Sequence, residues 1–125
     1  MAKKYKKFKS ETFSVEVFNF DVTVIVADDM DEYLTKVENA DIFSRGAIAF
    51  REDYNGGRAR YKVLFQKGKI RMSYISHELH HVLIWISSLA GLNIGKNSTH
   101  ETGAYIMGYM TRKTCAIIGK KNIII

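Results

Sequence analysis

Residues 72–90 read MSYISHELHHVLIWISSLA, and this stretch decides how the rest of the chain is read. Ile75, Leu79, Val82, Ile86 and Leu89 recur at helical spacing and form one apolar stripe. Leu83, Ile84 and Trp85 make the second half apolar nearly all round, so the expectation is a buried helix. Within it, residues 77–81 spell H-E-x-x-H. Residues four apart on a helix lie about 40° from each other around its axis, so His77 and His81 point the same way and can each give a ring nitrogen to one metal ion. Glu78 projects roughly 100° from His77, beside such a metal rather than on it, where a general base takes a proton from metal-bound water. His80 offers a ligand only in a shifted register, on the other side of His77.

Two histidines leave a catalytic zinc one protein ligand short of the usual three. Downstream the candidates are His100, Glu101 and Cys115. Glu101 fits best, because it opens a second predicted helix, from Ser98 to about Cys115, that the intervening loop can fold back against the first. The Glu101 stripe continues through Tyr105, Gly108 and Arg112, and Gly108 is read as a sign that this face packs closely on the histidine helix. Tyr105 is a candidate to orient Glu101 or to donate to an oxyanion. Ser98 and Glu101 also have the spacing of a capping box, a rival use of the same carboxylate.

Ahead of the histidine helix, alternating Phe13, Val15, Val17 and then Phe20, Val22, Val24, Val26 predict two strands. Acids at Asp28, Asp29, Asp31 and Glu32 open a short amphipathic helix to Asn39. Residues 46–52 and 59–66 predict two more strands joined at Asn55-Gly56-Gly57, a hairpin signal. Lys67-Gly68-Lys69 makes a turn, and Ile117–Ile125 is a strand or a docked extension. The expected fold is α+β: a small, mostly antiparallel sheet packed on a buried H-E-x-x-H helix and a second, glutamate-bearing helix. Trp85, Met107 and Met110 are assigned to the core, and Cys115 is read as a buried small hydrophobe.

H-E-x-x-H followed about twenty residues later by a glutamate on another helix resembles the gluzincin group of zinc metallopeptidases, to which thermolysin belongs. Ile75 to His81 together with Glu101 and Tyr105 is also similar to small zinc-peptidase-like proteins of bacteriophage genomes, and there the likeness covers most of the chain. The resemblance implies a minimal zincin-like fold, Zn²⁺ held by His77, His81 and Glu101, and Glu78 as base and proton shuttle in peptide-bond hydrolysis. It implies a peptide or protein substrate that adds as a strand to a sheet edge beside the metal helix, supplied by residues 46–52 or 59–66. The rival expectation is a zinc-stabilised structural or interaction module without turnover, such as a virion or host-directed phage protein.

The chain has 125 residues and a net charge of +6, which fits one domain. Lys3, Lys4, Lys6, Lys7 and Lys9 precede the first acid, so the remainder holds 14 basic and 13 acidic residues. The expected division is a basic flexible tail at 1–10 and a single domain at 11–125. The Lys3–Lys9 tail is a weak contact for nucleic acid or an acidic partner. No signal-peptide core follows the lysines and no apolar run spans a bilayer, so the expectation is a cytoplasmic protein, not secreted and without a membrane partner, in the bacterial host cytoplasm if phage-encoded. A single cysteine excludes an internal disulfide.

Overall fold

The computed structural model describes residues 7–40, 46–52, 57–91 and 97–124, with side chains left out at 97–100. It is α+β: a four-stranded mixed sheet with three helices. The strands are β1 (Phe8–Val15), β2 (Phe20–Ala27), β3 (Ala47–Arg51) and β4 (Ala59–Gln66), in the order β1-β2-β4-β3. Two of the three pairings are antiparallel, β1 with β2 and β3 with β4. The central pair, β2 with β4, is parallel, with Phe20 opposite Ala59 and Ala27 opposite Gln66.

Side-chain alternation sorts the core into two layers. Val22 and Val24 of β2 and Tyr61, Val63 and Phe65 of β4 face one way, onto α2 (Met72–Leu89) and α3 (Asn97–Ile118). Ile25 and Ala27 of β2 and Leu64 of β4 face the other way, onto α1 (Met30–Lys36) through Met30, Tyr33 and Leu34. β2 and β4 are thus covered on both sides, which is why their sequences are apolar at nearly every position. Asp29 caps α1, its Oδ1 accepting the Glu32 N–H at 3.1 Å.

Val17 does not continue the first strand. Glu16–Phe18 forms a 3-10 turn that ends at Asn19 in the left-handed region (φ 55°), and Val17 is left 85% exposed. Arg58 ties this turn to the sheet, donating to Asp21, Glu16 and Asn19. The expected hairpin residues Asn55 and Gly56 lie outside the described residues, as do Lys3, Lys4 and Lys6 of the tail. Lys7 and Lys9 are described, Lys9 within β1. The tail expected at 1–10 therefore overlaps a strand that begins at Phe8.

α2 is half-buried rather than enclosed. Ile75, Leu79, Val82, Leu83 and Ile86 face the sheet, while His77, His80, His81 and Ile84 are exposed, because α2 is covered along one side only. β5 (Ile70–Arg71) runs directly into it and pairs in parallel with β6 (Ile123–Ile124), so the C-terminal segment braces the start of α2. On α3 the core-facing stripe is Gly103, Ile106, Met110, Thr114 and Ile118, and the Tyr109 hydroxyl donates to the Ser14 carbonyl at 3.0 Å. Cys115 is half-buried, its Sγ 3.9 Å from the Met72 Sδ, and burial raises its pKa. Among the described residues, no helix is long and apolar enough to cross a membrane.

Candidate metal centre

One turn of α2 separates His77 from His81, and their Nε2 atoms lie 3.2 Å apart with the rings edge to face at 79°. Two nitrogens bound tetrahedrally at about 2.0–2.1 Å stand roughly 3.3 Å apart, so the spacing already fits a shared zinc ion. With a proton on one Nε2, the same separation is a hydrogen bond between the rings. Glu78 completes the group: the ligand atoms of His77, Glu78 and His81 all lie within 4.8 Å of one another. Both histidines are exposed, whereas Glu78 is 7% exposed. The donor set is therefore open to solvent on the imidazole side and closed behind the carboxylate.

Glu78 lies where α2 packs on β3, the last described strand on that side of the sheet. In the β3–β4 ladder Gln66 donates to Gly46 and Glu52 donates to Arg60, both at 3.0 Å. Antiparallel pairs alternate, so even-numbered β3 residues turn their backbone groups to β4 and Ala49 and Arg51 turn theirs to the open edge. Glu78 takes the outward Ala49 N–H. Desolvation raises the Glu78 pKa and outweighs the opposing pull of His77, His81 and the Ala49 N–H. A carboxyl whose pKa is raised by burial beside a histidine pair holds a proton more readily than a free carboxylate does, which suits a group that must accept and return one.

Trp85, one turn beyond His81, stacks on that imidazole with centroids 5.9 Å apart and on Tyr61 of β4 at 5.8 Å. The i, i+4 series 77, 81, 85 thus runs from the donor pair to an aromatic wall anchored in the sheet. Reading Trp85 as core alone missed this contact, although its spacing from His81 carried the signal. The Ala49 backbone contact had no signal in the side-chain sequence. Beside Trp85 lies a cleft of about 460 Å³ between β3 and the second half of α2, lined among others by Arg51, Tyr61, Ile84 and Leu89.

The structure does not bring every expected residue to this centre. Glu101 and Tyr105 stand on α3 and are exposed, Tyr105 to 76%. The Glu101 carboxylate is not part of the His77–Glu78–His81 group. Gly108 does not mark a close helix approach: a Cβ there would meet only Arg112 Nη1, at 3.4 Å. The stripe of Glu101, Tyr105 and Arg112 faces outward because the Ile106, Met110 and Ile118 stripe takes the core. His80 is exposed and outside the group. The side chains of His100 and Ser98 lie outside the described residues. Comparison with known proteins finds no family, no curated protein and no solved structure that matches the chain.

Proposed function

We propose that the protein is a zinc-dependent hydrolase acting on peptide bonds, with His77 and His81 as metal ligands and Glu78 as general base. The observation that carries this reading is the triplet itself: two exposed imidazoles 3.2 Å apart beside a buried carboxyl of raised pKa. A site that only stabilised the fold would have no use for an ionisable group held at this cost. Zinc held by His77 and His81 would supply a Lewis acid that makes water easier to deprotonate. Glu78 accepts the proton of the attacking water and passes it to the leaving amine, and its contact with the Ala49 N–H holds the carboxyl against β3.

Glu101 is the third ligand that the gluzincin resemblance implies. Its carboxylate lies outside the donor group, so coordination by Glu101 would need α3 to shift relative to α2, and Tyr105 would reach an oxyanion only with the same shift. The substrate strand adds to the β3 edge, where Arg51 turns its backbone outward, and a substrate side chain enters the cleft beside Trp85. Residues 59–66 do not serve, because β4 lies between β2 and β3.

Glu78→Gln separates binding from chemistry. The variant keeps stoichiometric zinc and loses hydrolysis of a casein or peptide-library substrate by at least about a hundredfold. Equal activity in the variant would remove Glu78 from the mechanism.

A further inference from the structure

A second concave site, lined by none of His77, Glu78 or His81, gathers lysines from three distant parts of the chain. Lys7 comes from just before β1 and Lys9 from within it, Lys67 from the turn after β4, and Lys121 from the 3-10 turn after α3. They border a cleft of about 610 Å³ that includes buried Ile70 and Ile118 among its lining residues. All four are exposed. Among the described residues the acid in this lining is Asp28, 3.8 Å from the Lys67 ammonium. Net positive charge therefore remains on this surface.

The backbones carrying these lysines are held in place. The Lys7 carbonyl accepts the Asp28 N–H and the Lys67 N–H donates to the Ala27 carbonyl, both at 2.9 Å. Lys121 sits in a turn closed by Asn122 N–H to the Gly119 carbonyl at 3.0 Å and continued by the β5–β6 pairing. Bringing like charges together costs free energy unless an anion offsets it. A single small anion would leave most of these charges unmatched, whereas a polymer with regularly spaced charges matches a row of them.

We propose that this cleft binds single-stranded nucleic acid through its phosphates. Lysines are point charges suited to phosphate contacts that need no paired geometry. A concave surface with an apolar floor receives unpaired bases, whereas a duplex groove is read by an element that projects into it. No aromatic stacking platform is needed for phosphate contact, so the binding is electrostatic and indifferent to base sequence.

The test uses the full chain and a fluorescently labelled oligo(dT) of twenty nucleotides, with anisotropy measured from 50 to 300 mM salt. The expected result is binding whose logarithm falls linearly with log salt, by about 0.7 per phosphate contact, and a slope lower by about 1.4 in Lys67→Gln/Lys121→Gln. The exposed pair Lys36→Gln/Lys113→Gln, away from the cleft, leaves the slope unchanged. Four results overturn the proposal: no binding at 50 mM salt; an equal loss in the Lys36/Lys113 variant; loss of all binding in Lys3→Gln/Lys4→Gln/Lys6→Gln with none in Lys67→Gln/Lys121→Gln, which leaves the tail alone; or binding of phosphatidylserine vesicles without oligonucleotide binding, which makes the occupant a lipid surface.

Discussion

Glu78 on α2 and Ala49 on β3 are joined by a hydrogen bond from the strand's outward N–H to the helix carboxylate. It links the motif helix to the sheet edge. His77 and His81 face solvent, so the metal of the proposed site would reach them directly, while the Glu78 carboxyl is shielded. Disturbing either partner should change proton transfer before it changes metal binding.

Zinc should stabilise the protein without being needed for folding. Both apolar clusters form without any ligand atom of the triplet other than through helix packing, so the chelated protein keeps its circular dichroism spectrum and a cooperative melt. At a free zinc concentration about a hundredfold above Kd, unfolding free energy rises by about 2.7 kcal/mol. His77→Ala and His81→Ala each remove that rise, measured by calorimetry with and without zinc. Unfolding on chelation, with no detectable hydrolysis, would favour the structural module instead.

The buried Glu78 should leave a mark on the pH dependence of the metal-free protein. Its folded pKa is raised, so the folded state holds the proton more tightly than the unfolded state does. Stability from this group is therefore greatest below the unfolded value near 4.5 and declines as pH rises through the folded pKa. Asp21 has the opposite sign. Its partial burial opposes ionisation, but the Arg58 and Ser14 hydrogen bonds and the charges of Arg58 and Arg60 lower its pKa, so its contribution is lost only as pH falls below 3.8. Above pH 4.5 the two effects separate. Chelated wild type should lose stability relative to Glu78→Gln as pH climbs, and parallel melting curves for the two proteins would contradict the assignment.

Most of the strands and helices were legible because each rests on local pattern. The alternation in Phe20–Val26 and the acids before Met30 need no knowledge of their neighbours. The parallel pairing of β2 with β4 was not legible, since register between strands far apart in sequence is set by the segments between them. Val17 was misread because alternation cannot show that Asn19 reverses the chain. The histidines and Glu78 were legible from spacing alone. Glu101 was placed by its position at the head of a helix expected to fold back on the first; in the fold it is exposed and outside the donor group, while Ile106 and Met110 take the inward face.

Gly46 should resist substitution. Its φ of +122° is unfavourable for an L side chain, and an added Cβ would lie 2.9 Å from Cε2 of Tyr74 on α2. Gly46 begins the strand segment that carries Ala49, so displacing it shifts the Glu78 contact as well. Gly46→Ala is expected to cost about 1–3 kcal/mol in denaturant unfolding and, under the proposed function, to lower hydrolysis more than zinc affinity. A Tyr74→Leu/Gly46→Ala pair relieves the clash but not the φ strain, so it recovers only part of the stability.

Trp85 links the candidate metal centre to the core, and its removal should be felt at both ends. The indole is stacked between His81 and Tyr61, and Tyr61 is itself buried against Phe20, with ring centroids 5.7 Å apart. Trp85→Ala leaves the imidazole without a backing surface and opens the half-buried space between helix and sheet. For a partly exposed aromatic the stability cost is about 2 kcal/mol, below that of a fully buried one. A freed His81 ring must be ordered again when metal binds, so zinc affinity is expected to fall by about tenfold, read by competition with a chromogenic chelator. Trp85→Phe keeps an aromatic face against both neighbours and should restore most of the affinity. If Trp85→Ala destabilises the fold yet binds zinc as tightly as wild type, the stacked ring serves the core alone and His81 is positioned by its own helix.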